Sequence, residues 1–171
     1  ERGELPDDVV AAAVPLSSVK LVAPVRVQPL VPYRPGLNVR DAVETQCDWN
    51  RQFTRFMAEE ADGLVEVTDA DLDAAPGYAL KLSVVNMHAG KPHWAVVRAD
   101  LYDNGRLIGR IDQRRTTMAP LSRTCSAMED IAEALASDTV DWLRRGQFEV
   151  KLNPADKLPE IGVAETVPSI Q

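Results

Sequence analysis

Proline placement constrains this chain most. Pro6, Pro15, Pro24, Pro29, Pro32 and Pro35 crowd the first 35 residues, and Pro154, Pro159 and Pro168 lie near the other end. Only Pro76, Pro92 and Pro120 fall between. Proline supplies no backbone N–H to a helix or a central strand, so the packed domain must be the middle. We read residues 1–18 as an extended, proline-containing arm or linker, 19–152 as a single domain, and 153–171 as a loosely ordered tail. The chain begins at Glu1, as a processed or trimmed protein would, and a cleaved signal peptide would leave nothing behind.

Within the middle, hydrophobic periodicity sorts the elements. Val19 to Val31 is rich in valine and leucine but interrupted by prolines, which reads as an edge-like strand. Asp41 to Ala61 holds no proline or glycine and places Cys47, Trp49, Phe53, Phe56, Met57 and Glu60 at helical spacing, ended by Asp62-Gly63. Leu64 to Thr68 is a short strand. Ala79 to His88, Trp94 to Tyr102 and Arg106 to Thr117 form a meander, with Asn104-Gly105 supplying the positive φ of a tight hairpin turn. Ser126 and Glu129 have capping-box spacing. Met128, Ile131, Leu135, Thr139 and Trp142 mark a second helix closed by Gly146, and Gln147 to Leu152 is a candidate last strand. Two helices can cover only one face of such a sheet. The expectation is an α+β, two-layer domain: a mainly antiparallel sheet with a central meander and both helices on one face.

Composition excludes more than it identifies. The longest apolar runs, Val9–Val14 and Leu21–Val25, fall far short of the roughly 20 residues a spanning helix needs. A formal charge of −7 gives little footprint for nucleic acid or for an anionic membrane. Asp69, Asp71 and Asp73 alternate like a calcium loop, but Ala74 and Leu80 stand where the glycine and glutamate of an EF-hand belong, leaving a polar loop with an aspartate capping a turn. His88 and His93, the only histidines, flank Ala89-Gly90-Lys91-Pro92 and read as solvated turn residues; no ligand set accompanies them. No nucleophile elbow or phosphate loop occurs. No metal, cofactor or catalytic residue is therefore expected. An enzyme would have to assemble its site from His88, His93 or Cys125.

Cys47 and Cys125 sit at helix starts. Either they are buried free thiols, or helices packed on one face bring them together as a disulfide, and the second reading is favoured. A disulfide would place the chain in an oxidising compartment such as a bacterial periplasm. Arg114, Arg115 and Trp94 are the candidates for an interaction surface, Trp94 because it opens a strand beside a turn.

The run Tyr78-Ala79-Leu80-Lys81-Leu82-Ser83-Val84, the hairpin Ala95 to Gly105 and the closing helix Cys125 to Arg144 resemble, in element order over residues 19–150, small bacterial cell-envelope lipoproteins. Two groups share this order: lipoproteins with a domain like the N-terminal part of TolB, and auxiliary lipoproteins of lipid-transport ABC systems. The resemblance implies a non-catalytic periplasmic accessory or assembly protein of the envelope. It would be anchored, with the outer membrane as the candidate site, by an N-terminal lipid outside this chain. It would act with other envelope proteins and would form a homo-oligomer. The alternative is a soluble periplasmic module that binds a peptide or protein by pairing along a free sheet edge at Val19 to Val31.

Overall fold

The computed structural model describes residues 14–22, 24–37, 47–74 and 76–150. In chain order the elements are β1 (Val14–Ser18), β2 (Val25–Val27), α1 (Trp49–Ala61), β3 (Val65–Val67), β4 (Tyr78–His88), β5 (His93–Asp103), β6 (Arg106–Thr117), α2 (Thr124–Arg145) and β7 (Gln147–Val150). Five strands form one sheet in the order β3-β2-β4-β5-β6, and β1 pairs with β7 in a second, two-stranded sheet. The fold is an α+β domain with a mostly antiparallel sheet and two helices, and the sheet does not close into a barrel.

The meander follows the sequence directly. β4–β5 and β5–β6 are antiparallel along their lengths. Asn104 (φ 52°) and Gly105 (φ 84°) make the turn between β5 and β6 with positive φ at both positions, the twist a two-residue hairpin favours. Along β5, alternate residues His93, Ala95, Val97, Ala99 and Leu101 are buried. They face the helices together with Leu80, Leu82 and Val84 of β4. From α2, Met128, Ile131, Leu135, Thr139 and Trp142 close over them, as their spacing predicts. From α1 the buried face is Trp49, Phe53, Thr54, Met57 and Ala61. The Trp49 indole N–H donates to the Met128 carbonyl at 2.6 Å and joins the two helices inside the core.

Several expectations need correction. The strand expected over Val19 to Val31 is only Val25–Val27, and it is not an edge: β3 lies on one side and β4 on the other, both parallel to it. Pro24 and Pro29 bound it because neither can donate to a ladder. The parallel pairing follows from the connection, since β2 and β3 are joined through a helix rather than a hairpin. The first helix starts at Trp49; Asp48 is left-handed (φ 51°), so Cys47 precedes the helix. The expected helical residues 41–46 lie outside those described. The Ser126–Glu129 capping box does not form. The 3₁₀ turn Leu121–Arg123 runs straight into α2, which starts at Thr124, so Ser126 already lies within the first turn. Val14–Ser18, at the end of the expected arm, pairs antiparallel with β7. The rest of that arm and the whole of the expected tail, 153–171, lie outside the described residues.

Two glycines set close approaches. Gly146 ends α2 in the left-handed region (φ 71°). Its carbonyl accepts the Val19 N–H at 2.7 Å, which leads the chain into β1's pairing with β7. Gly109 sits at a register shift in β6, where a Cβ would come within 2.8 Å of Phe148 Cβ and 3.1 Å of the Trp142 ring. Its missing side chain makes room for the edge-to-face pair Trp142–Phe148, whose centroids are 5.0 Å apart. Among the described residues no helix is long and apolar enough to cross a membrane.

Candidate functional site

The helices cover one face of the meander, and the other face carries its polar alternate positions. Arg98 on β5 lies opposite Asp112 on β6, and Asp100 lies opposite Arg110. Both pairs are two-pronged. The Arg98 guanidinium donates to Asp112 at 2.8 and 2.9 Å, and that of Arg110 to Asp100 at 2.7 and 3.0 Å. Planar arginine and carboxylate match in this geometry, so the centre of the face is an ordered, charge-compensated lattice.

Trp94 stands toward one end of this open face. The His88 ring stacks on it at 5.9 Å, and the Arg114 guanidinium lies 4.6 Å from its ring centre. His88 Nδ1 is 2.9 Å from the Pro92 carbonyl, which orients the imidazole from within the turn. Of the three residues expected to make an interaction surface, Trp94 and Arg114 therefore meet. Arg115 does not join them. Its backbone pairs with Ala95, whose side chain is buried under the helices, so Arg115 projects to the helix side. There it donates to both Asp138 oxygens of α2 at 2.7 and 2.8 Å. The Asp138 hydrogen bond holds the Arg115 guanidinium protonated beyond its ordinary range. Adjacent strand residues point to opposite faces, so an Arg-Arg pair in a strand cannot form one patch.

The histidines separate for the same reason. His88 is exposed on the open face. His93 is fully buried, with Nε2 3.4 Å from the Thr124 hydroxyl. This corrects the reading of His93 as a solvated turn residue, since β5 starts there and that position points inward, whereas His88 is exposed beside the turn. Cys125 is joined to Cys47, with Cα atoms 5.1 Å apart. The bridge ties the segment before α1 to the first turn of α2. His88, His93 and Cys125 thus lie on the open face, in the core and in a disulfide, and they do not converge on a common point.

A groove also opens where the sheet parts. Beyond Arg26, which pairs with Ala79, the chain arches away from β4 and returns only where Tyr33 bridges Val84. The return is held by Val84 N–H to the Pro32 carbonyl and Arg34 N–H to the Val84 carbonyl, both 2.9 Å. Between these points lies a cleft of about 270 Å³ lined by Gln28, Leu30 and Pro32, by Leu80 to Leu82 of β4, and by Asp71 to Asp73. Asp73 accepts a hydrogen bond from the Lys81 ammonium at 2.8 Å. That hydrogen bond raises the lysine's pKa above its ordinary 10.5. The Asp71 carboxylate takes the Asp73 N–H at 3.0 Å and closes a local turn. Among the described residues, no group of three or more His, Cys, Asp or Glu is placed to hold a metal ion. The sequence carried no sign of this cleft, because it depends on where two distant segments stop pairing.

No family model matches the chain, and no curated protein matches it. Among solved structures it is similar to the dodecamer of a point variant of PelC from Paraburkholderia phytofirmans: 18% identity, 76% of this chain and 97% of that one, TM-score 0.54. It is likewise similar to the PelC dodecamer from the same organism in another crystal form: 17% identity, 76% and 95% coverage, TM-score 0.52. A minor lipoprotein from Acinetobacter baumannii matches over 70% of this chain and 91% of its own, at 13% identity and TM-score 0.38. At such identities the PelC likeness establishes a shared fold.

Proposed function

We propose that this chain is a non-catalytic accessory or assembly protein of the bacterial cell envelope. It works in the periplasm as a homo-oligomer, held at a membrane, the outer one in our reading, by a lipid on a segment that precedes Glu1. The observation that carries this reading is the Cys47–Cys125 bridge, which closes a separation of 78 residues. A structural bridge of this kind forms and persists in oxidising compartments and is rare in reducing ones, which supports the periplasmic reading. The fold shared with a protein that forms dodecamers supports self-assembly. The scattered placement of His88, His93 and Cys125 leaves the enzyme reading without an assembled site.

Light scattering on the oxidised chain tests the assembly, and maleimide labelling of the chain in intact cells tests the compartment. The expected results are a mass several times the 18.8 kDa of one chain and no label without prior reduction. A monomer at all accessible concentrations sinks the assembly reading, and two freely labelled thiols sink the periplasmic one.

The alternative of a module that binds by edge pairing loses the edge on which it was based, because β2 has a neighbour on each side. The edges of the five-stranded sheet are the short β3 and the long β6.

A further inference from the structure

We infer that one end of the folded domain, where the β4–β5 turn meets the connection from β6 to α2, docks on an anionic lipid bilayer. This goes beyond a lipid tether, since the contact is made by the domain's own side chains. It rests on the envelope reading only for a bilayer being within reach.

Two apolar side chains project from that connection: Met118 is 61% exposed and Leu121 58%. Isolated exposed apolar residues are ordinary, but these two lie three positions apart on a braced segment. The Thr124 hydroxyl donates to the Leu121 carbonyl at 2.7 Å, and the Arg123 N–H to the Pro120 carbonyl at 2.9 Å. Register places them beside the aromatic end of the open face, since Thr116 pairs with Trp94 and Thr117 with His93. Met118 is the next residue.

Among the described residues, the charged side chains of this turn and connection are all basic. Arg114 lies on Trp94, Lys91 is in the β4–β5 turn, and Arg123 is in the 3₁₀ turn; all three are exposed. No Asp or Glu stands between Asp73 and Asp100, nor between Asp112 and Glu129, although the chain as a whole carries −7. Of the described carboxylates nearest this end, Asp48, next to Cys47, lies 3.4 Å from Arg51, Glu129 of α2 lies 4.0 Å from Arg55, and Asp138 pairs with Arg115, while Asp130 is exposed in the second turn of α2. The N-terminus of α2 adds the positive end of its dipole. The net charge thus hides a cationic, apolar-tipped end on an acidic molecule.

Apolar groups that enter the headgroup boundary, ringed by cations that stay with the phosphates, are how a protein surface binds an anionic bilayer. A soluble acidic polymer would satisfy Arg114, Lys91 and Arg123 but would offer nothing to Met118 and Leu121. The bilayer accounts for both sets.

The test is co-sedimentation of the oxidised full chain with vesicles of phosphatidylglycerol and phosphatidylethanolamine, against vesicles of phosphatidylcholine. Binding is expected to the anionic vesicles, weakened by salt. It should fall about tenfold in the double variant Met118→Ser, Leu121→Ser, and by a similar factor in Arg114→Gln, Arg123→Gln. Circular dichroism and thermal melting of both variants should match the parent, because none of the four side chains is buried. No sedimentation, or equal sedimentation with phosphatidylcholine, overturns the proposal. So does a soluble polyanion such as dextran sulfate binding parent and Met118→Ser, Leu121→Ser equally while vesicles do not bind. Light scattering on the same samples separates the two readings, since a non-binding oligomer fails this one and a binding monomer fails the assembly.

Discussion

At Gly146 two requirements fall on one residue. The backbone needs φ of 71°, and a Cβ there would overlap the Val19 carbonyl oxygen, which is backbone and has little room to yield. Gly146→Ala is therefore expected to cost about 2–3 kcal/mol: roughly 1 for the left-handed conformation and the rest for displacing the approach to β1. Urea unfolding measures it, and a loss under about 0.5 kcal/mol would refute the close approach. The C-terminal role of Gly146 was legible in the sequence, because it ends a helical period; its contact with Val19 was not, because that residue is remote in the chain. His93 shows the converse. Beside Lys91-Pro92 it looks like a turn residue, and only the register of β5 turns it into the core. Lys81 gives a sign that can be checked. Its raised pKa means that the Asp73 contact adds stability below the lysine's ordinary 10.5 and loses it as pH rises through the higher folded value. Lys81→Met should therefore differ from the parent by a small, constant amount from neutral pH to about pH 10, with the gap closing above that. A gap that opens on the alkaline side contradicts the assignment.

Among the elements, the β5–β6 hairpin was the most legible, because Asn-Gly chemistry and strict alternation are local properties. The start of α1 was the least. An uninterrupted helical period over 41–61 gives no stop signal, and the left-handed Asp48 answers to the chain's path toward the bridge rather than to any breaker residue. That bridge ties the segment before α1 to the first turn of α2. Its loss in Cys47→Ser, Cys125→Ser is expected to cost about 4 kcal/mol on the chain-entropy account. Reducing agent should lower the melting temperature of the parent and leave the double variant unchanged. If reductant has no effect on the parent, the disulfide does not hold these helix starts. The Arg115–Asp138 pair also links an edge strand to α2, yet with half of Arg115 exposed its removal should cost under about 1 kcal/mol.

For the whole molecule, the arm and the domain do not divide where proline content alone would put the boundary. Val14–Ser18 completes the two-stranded sheet with β7, so removing residues 1–18 strips a strand, whereas removing 1–13 leaves it. The shorter deletion should melt as the parent does, and the longer one about 5 °C lower or more; equal melting temperatures would show that β1 adds nothing. Charge behaves in the same way. A total of −7 argues against anionic surfaces, but a sum has no direction, and folding brings the basic β4–β5 turn beside the basic connection from β6 to α2. Local sequence suffices to specify the strands and helices of the meander and α2 and the apolar faces they present. These follow from periodicity and backbone chemistry, which act over a few residues. Folding in three dimensions was needed to make β2 internal, to part Arg115 from Arg114 and Trp94, to bury His93, and to stand Met118 and Leu121 among cations. Each of these depends on register and on contacts between residues tens of positions apart, which no local pattern encodes.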